Sequence, residues 1–369
     1  MHAIDRLTIQ GYKSIRNLED FEMRPLNVLI GANGAGKSNF VGFFRLLRSL
    51  IEQRLQYATR MEGGADACLF MGPKVTPELD CYLEFGGKAY QFSLASAPDN
   101  RLIFKGEHAG YFKGGYPTAT FGSSGNLETE LKDLTDPLVQ SVFESISKWV
   151  AYHFHDTSAL APVRRQHAIT DNEYLREDAA NLASFLYRIR VTDPGHYDRI
   201  RDTVRMAAPF FDDFNLRPVA DKPHLTQLEW LQNDSDYPFQ PHQMSDGTLR
   251  FVCLATALMQ PSMPSTILFD EPELGLHPHA LALLGGLFHE VARESQIIIS
   301  TQSASLLNEF EPEDIIVVER SFGESTFRRL NASSLSEWLE DYSLGELWQK
   351  NILGGRPKQD RFPDPVVQR

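Results

Sequence analysis

The run Gly31-Ala32-Asn33-Gly34-Ala35-Gly36-Lys37-Ser38 has the spacing GxxxxGK[ST]. Its residue types suit one task, the holding of a phosphate chain. The glycines let successive backbone N–H groups turn toward an anion, and a helix beginning here adds partial positive charge. Lys37 can reach the terminal phosphates, and the Ser38 hydroxyl is a ligand type suited to Mg²⁺. An ordinary loop can show the same spacing, so context decides: the match carries weight between a strand and a helix. Apolar Leu26–Ile30 precede it and a helical pattern follows. The sequence therefore predicts binding of a nucleoside triphosphate, with Asn33, Gly34, Gly36, Lys37, Ser38 and Asn39 as candidate contacts.

A second constellation is Ile267-Leu268-Phe269-Asp270-Glu271-Pro272, an apolar strand that delivers two carboxylates at its end. Asp270 is expected to hold the Mg²⁺ shell, directly or through water, next to Ser38. Glu271 is expected to polarise the water that attacks the γ-phosphorus. The competing reading is a solvated strand end. A third is Met244-Ser245-Asp246-Gly247-Thr248 ahead of an apolar helix, where Ser245 and Gly247 can offer a hydroxyl and backbone N–H groups to an anion. The plain alternative there is an N-cap with turn residues. Two anion sites serve one ligand if they face each other across two subunits.

The elements that must position these residues follow from periodicity. Residues 3–30 give two short strand signals around Gly11–Ser14 before the apolar strand, and Phe40–Leu55 reads as a helix. Leu79–Ser96 alternates as a hairpin, followed by a strand-rich stretch to the turn at Gly122–Asn126. Helical patterns cover 135–150, Glu177–Arg190 and Tyr197–Ala208, with a short strand at Tyr152–Phe154. Past Phe214 a mixed segment adds strands. The last third alternates helix (Thr248–Met259), strand (Thr266–Phe269), helix (Pro278–Arg293), strand (Gln296–Ser300), short helix (Ser303–Leu307) and strand (Ile315–Val318). The expected fold is α/β: one P-loop head over 1–325 with a mixed sheet, made from about 1–130 and 240–325. It carries an antiparallel β subdomain and a mostly helical insertion at about 131–239, and a helical extension and tail occupies 326–369.

Composition narrows the class. The 369 residues are 42% apolar and 23% charged, with 36 basic against 49 acidic side chains for a net charge of −13. That balance opposes a globally basic nucleic-acid binder and leaves room for a local patch. Arg164-Arg165 is too small a patch, since affinity for nucleic acid takes several phosphate contacts. No membrane span or secretory signal is visible. Three cysteines without metal-ligand spacing fit a reducing cytoplasm.

The set Gly31–Ser38, Met244–Arg250, Asp270-Glu271-Pro272-Glu273-Leu274-Gly275-Leu276-His277-Pro278 and Ser300-Thr301-Gln302-Ser303 resembles the ATPase head of the ABC superfamily. The opening Leu7–Ile15 narrows the likeness to its SMC-, RecF- and OLD-like branch. The resemblance covers roughly residues 1–55 and 240–320, and the middle third matches nothing as specifically. It implies ATP and Mg²⁺ as ligands and a homodimer of heads closed head-to-tail on two ATP molecules. Lys37 and Ser38 would bind one ATP, and Ser245 with Gly247 of the other subunit would cover its γ-phosphate. The Glu273–His277 loop would cross the dimer seam. His155 or Asp156 would stand where the family places a Mg²⁺-sensing glutamine. Gln302 replaces the usual histidine; it can donate to a phosphoryl oxygen and accept from water but carries no proton or charge. With Glu271 intact, slow hydrolysis is expected, with Glu271, Gln302 and Lys37 as the catalytic set.

Three functional classes compete. The first is a dimerising ATPase switch for a protein effector, in DNA maintenance or phage defence. The second is a RecF-type repair ATPase that grips DNA. Lys13 and Arg16, near the front, are candidates to line the nucleotide or the far side of the head where partners bind, and the plain alternative is solvent-facing charges on a turn. The third, a transporter motor, is disfavoured by the Lys13-Ser14 opening and by Asp246. Absent heptads exclude a long-armed machine. The roughly 50 residues after Val318 show no acidic metal cluster for a nuclease, and Glu319 reads as a strand-end charge.

Overall fold

The computed structural model describes residues 3–113, 116–122 and 124–355, and the chain divides into two compact units. The first comprises Ile4–Met23, Val28–Ser147 and the chain from Pro312 onward; the second comprises chiefly Lys148–Glu311, with Arg24–Asn27.

In the first unit, β1 (Arg6–Tyr12) and β2 (Ile15–Glu22) form a hairpin, and β3 (Leu26–Ile30) leads to helix α1 (Lys37–Ile51). Phe40, Phe43, Leu47, Leu50 and Ile51 are buried, which is the stripe that a 3.6-residue period produces. The helix ends earlier than the sequence pattern predicts. Gln53 takes φ +57, and the chain restarts as α2 (Leu55–Met61), whose first amides donate to Glu128 at 2.8 and 3.1 Å. After α3 (Ala65–Cys68) come β4 (Glu78–Phe85), β5 (Lys88–Ser96), β6 (Leu102–Lys113) and β7 (Tyr116–Phe121), then α4 (Pro137–Ile146). They complete an antiparallel sheet of order β2-β1-β4-β5-β6-β7, the expected β subdomain. Strict alternation in β4 buries Leu79, Cys81, Leu83 and Phe85 on one face.

In the second unit, β8 (Trp149–Tyr152), β9 (His167–Ala168), α5 (Leu182–Thr192), α6 (Pro194–Ala207), β10 (Phe211–Asn215), β11 (Pro218–Val219), β12 (Lys222–Thr226) and β13 (Glu229–Gln232) precede α7 (Asp246–Leu258). Then follow β14 (Thr266–Asp270), α8 (Pro278–Val291), β15 (Gln296–Thr301) and α9 (Ala304–Leu307). β14 runs parallel to both β15 and β8, and its Thr266, Ile267, Leu268 and Phe269 are buried. Near-continuous apolar runs are what a parallel sheet covered on both faces requires.

The stretch 131–239 is thus less helical than its periodicity suggests. It contributes β8 to the parallel sheet and two small antiparallel ladders, β10–β13 and β9–β12–β11, beside α4, α5 and α6. Its strands are too short to outweigh the helical signal of their neighbours. The first unit closes with β16 (Ile315–Ser321), parallel to β3, and β17 (Glu324–Arg329), antiparallel to β16. Residues 326–329 therefore belong to a strand rather than to the helical extension. That extension starts later, as α10 (Ser336–Leu339) and α11 (Leu344–Gln349), and the tail from 356 lies outside the described residues. Among the described residues no helix is long and apolar enough to cross a membrane.

Candidate functional site

The phosphate loop sits in the first unit and is shaped from beneath. A Cβ on Gly31 would lie 2.3 Å from the Val318 carbonyl oxygen. Gly36 takes φ +117, and a Cβ there would lie 2.1 Å from Ser325 Oγ and 2.9 Å from Ser14 Oγ. Those hydroxyls form the floor. Ser325 Oγ donates to the Ala35 carbonyl at 2.6 Å and lies 2.7 Å from Ser14 Oγ, which accepts from Asn39 Nδ2 at 2.6 Å. The opposite side is open: Asn33, Gly34 and Ser38 are exposed, and nothing lies within 4 Å of a Cβ built on Gly34. Lys37 is buried, and its ammonium donates to the carbonyls of Gly31 at 2.7 Å and Ala32 at 3.3 Å. Arg320 donates to the Gly34 carbonyl at 3.1 Å.

Beside the loop, within the same unit, opens a cavity of about 580 Å³ walled by Lys13, Ser14, Asn39, Phe70, Met71 and Arg320 among others. Lys13 pairs with Glu62 at 2.7 Å, and Arg16 reaches Glu324 at 3.7 Å while lying over the Phe70 ring. Ser325 leaves no local signal in the sequence, because its hydroxyl comes from about 290 residues beyond the loop.

In the second unit, β14 and β15 bring Asp270 and Ser300 into register, and Ser300 Oγ donates to the Asp270 carboxylate. Glu271 takes φ +45, a conformation that costs a non-glycine residue on the order of 1–3 kcal/mol and that clusters at functional sites. Its amide donates to the Ser300 carbonyl at 2.8 Å, and its Oε1 accepts from Gln302 Nε2 at 2.5 Å. The residue expected to activate water and the residue standing in for histidine therefore touch. His155 also reaches this strand end, with its Nε2 2.7 Å from the Asp270 carbonyl oxygen. Asp156 instead accepts from the Ser158 amide, and bonds from Ser158 hold its carboxyl below the usual range.

Ser245 and Gly247 stand at the start of α7. The Ser245 hydroxyl accepts from the Thr248 amide at 3.1 Å, so it is an N-cap, and the side chain is exposed. Gly247 is explained by close approach: a Cβ would lie 2.3 Å from the Gly275 carbonyl oxygen. Two arginines tie this helix start to its surroundings. Arg250 donates to the carbonyls of Phe154 at 2.9 Å, His155 at 3.0 Å and Leu274, and burial lowers its pKa. Arg164 donates to the carbonyls of Thr157, Pro241 and Met244 and pairs with Asp246 at 2.7 Å. Its side chain is 5% exposed, so the Arg164-Arg165 pair does not present two surface cations.

The residues suit ATP with Mg²⁺. The loop offers an open glycine face, an ammonium and an exposed hydroxyl on one unit, and the other offers strand-end carboxylates. Among the described residues no group of three or more His, Cys, Asp or Glu could hold a metal by itself. Mg²⁺ ordinarily takes few protein ligands and fills its shell with water and substrate phosphate, so the exposed Ser38 hydroxyl at the phosphate loop fits that demand.

A protein-family model described as "AAA domain, putative AbiEii toxin, Type IV TA system" matches residues 26–78 and 130–308, more than half of the chain. The chain is similar, at 24% identity over 210 residues, to a "Putative ABC transporter ATP-binding protein" of Methanosarcina acetivorans, covering 56% of this chain and 70% of that one. Its fold resembles an SMC head bound to the C-winged helix domain of ScpA, with TM-score 0.59 and 15% identity over 90% of this chain and 99% of that one. It also resembles an SMC head with an extended coiled coil, bound to the C-terminal domain of ScpA and derived from Pyrococcus furiosus. There the TM-score is 0.60 at 15% identity, over 92% and 99% of the two chains. At such identities the likeness to these structures is one of fold.

Proposed function

The chain belongs to this AAA-domain family of ATP-binding proteins and has the mixed α/β fold of an SMC/RecF-like ABC-type ATPase head; from that premise we propose that it hydrolyses ATP as a head-to-tail dimer that switches a protein effector. The observation that carries the reading is the phosphate loop, with Lys37 buried against its own carbonyls and its glycine face open. The loop amides and Lys37 bind the phosphates, and Asn33, Gly34, Gly36 and Asn39 shape or flank their path. The cavity walled by Lys13, Phe70 and Met71 takes the base and ribose. Ser38 and Asp270 hold Mg²⁺, which when bound neutralises charge on the phosphates.

Glu271 accepts the proton of the attacking water. Gln302, whose Nε2 is given to Glu271, keeps its carbonyl oxygen to accept from the same water. Ser245 and Gly247 serve the ATP of the opposite subunit. Their helix start keeps orphan N–H groups and a favourable dipole, which suits a terminal phosphate. A protein effector is favoured because the similar SMC heads are held by a ScpA domain. A role in defence is favoured by the toxin–antitoxin description of the family.

The test is the ATPase rate per mole of protein as a function of protein concentration, with and without duplex DNA. A rate per mole that rises with concentration supports shared sites, and a flat one contradicts them. Stimulation by duplex DNA would move the assignment to a RecF-type repair ATPase.

A further inference from the structure

Glu273 lies two residues past Glu271, and its carboxylate points back into the fold. Its Oε1 accepts from Thr301 Oγ1 at 2.6 Å and from the Gln302 amide at 3.0 Å. Its Oε2 is sealed from solvent and has no hydrogen-bond partner among the described residues. Burial raises the Glu273 carboxyl pKa, and the bonds from Thr301 and Gln302 oppose that rise. An unpaired buried carboxylate oxygen costs free energy, and a glutamate whose only task was to fill this space would be better replaced by an apolar side chain. Its two donors lie at one place: the last residue of β15 and the backbone of Gln302. The Gln302 side chain in turn donates to Glu271 at 2.5 Å. Thr301 Oγ1 also accepts from the Ser303 amide at 3.0 Å, so the turn after β15 is bound at three successive residues.

We infer that Glu273 is a positioning residue for ATP hydrolysis. By gripping the Thr301 hydroxyl and the Gln302 amide it sets the Gln302 carboxamide against Glu271, and so orients both acceptors toward one water. A histidine has a rigid ring that holds its own direction; a glutamine side chain has three rotatable bonds, and its direction depends more on a fixed backbone. The inference rests on the hydrolytic reading above, and it concerns orientation alone. The contacts of Glu273 are to the Thr301 hydroxyl and the Gln302 amide.

The test uses the full chain and four variants: Glu273→Ala, Glu273→Gln, Gln302→Ala and the double Glu273→Ala/Gln302→Ala. Glu273→Ala is expected to lower kcat about 10- to 100-fold, the scale of a small misplacement of reacting groups, with KM for ATP within about 2-fold. Glu273→Gln keeps an acceptor oxygen for both donors and should recover most of the rate. In the Gln302→Ala background the Glu273→Ala lesion should cost nothing further, because the group it positions is gone. Amide hydrogen exchange at Gln302 and Ser303, measured without nucleotide, should speed up in Glu273→Ala. Additive losses in the double variant, or a Glu273→Gln variant as slow as Glu273→Ala, would overturn the inference. Unchanged exchange with unchanged kcat would do so as well. A wild-type chain that binds no ATP would instead overturn the functional reading itself, and the variants would not be the cause.

Discussion

The phosphate loop and the strand-end cluster around Glu271 are built by opposite means. The loop is built from backbone. Its glycines are placed by contacts too close for any side chain, with Ser325 under Gly36 and Val318 under Gly31. The cluster is built from side chains, with Gln302 on Glu271, Thr301 on Glu273, Ser300 on Asp270 and Arg250 across three carbonyls. Backbone donors fixed in advance suit tight binding of an invariant triphosphate. A side-chain network can rearrange, which suits the step that has to start and stop. The comparison assigns affinity to the loop and rate to the cluster, and single substitutions can separate the two.

The largest effect is expected at Glu271. Glu271→Gln keeps shape and removes the basic carboxylate, so turnover should fall roughly 10²- to 10⁴-fold while ATP still binds. Rapid-quench turnover alongside equilibrium ATP titration measures both, and dimer trapped by ATP should appear in light scattering. Wild-type turnover would show that another group positions the water. Lys37→Ala should do the reverse. ATP affinity falls about 100-fold, because charge-assisted bonds to the phosphates are lost. Equal affinity in the two proteins would remove Lys37 from its role.

Two glycine substitutions sharpen the contrast. Gly36→Ala forces Ser325 and Ser14 to move and should weaken ATP binding. Gly247→Ala collides with the Gly275 carbonyl and should slow turnover with little change in affinity. Each is expected to cost about 1–3 kcal/mol of stability by thermal or urea unfolding, as overpacking does. The same phenotype from both would erase the distinction between loop and cluster.

The smallest effect concerns a buried carboxylate outside both regions. Glu107 accepts from Tyr90 at 2.7 Å and from Thr129, and burial raises its pKa. A raised carboxyl favours the protonated folded state, so its contribution is full below the unfolded carboxyl range and is lost as pH rises through the folded value. Lowering pH from neutral should therefore stabilise the wild type relative to Glu107→Gln, read from urea midpoints. ATP turnover relative to the folded fraction should not change.

What the sequence made legible was local. The loop Gly31–Ser38, the strand delivering Asp270 and Glu271, and Gln302 after Ser300-Thr301 each combine a residue pattern with an adjacent apolar strand, so a short window holds the whole signal. The β4–β5 hairpin was equally plain, because alternation around Gly86-Gly87 is self-contained. The break at Gln53 was hidden because the helical pattern of apolar residues continues across it. The sequence pattern places β8 a few residues late, since a four-residue strand next to a helix has almost no period of its own. Gly247 looked like a residue that exposes amides, yet the structure gives it a steric reason nearly thirty residues away. Glu273, Arg250 and Arg164 act through partners brought near only by folding, and no spacing rule announces such contacts.

If each ATP is served by two copies of the chain, two differently damaged copies should complement each other when mixed. Ser245→Asp retains a good N-cap for α7 and adds a carboxylate that repels a terminal phosphate. Alone it should bind ATP and fail to hydrolyse it, and Lys37→Ala alone should stay largely empty at an ATP concentration that just saturates the wild type, given its about 100-fold weaker affinity. A head-to-tail dimer of one of each has one site carrying both lesions and one site carrying neither. The mixture should recover part of the wild-type ATPase rate, in proportion to mixed dimer. A mixture as inactive as its components, or a Ser245→Asp chain with full activity at every concentration, would contradict it.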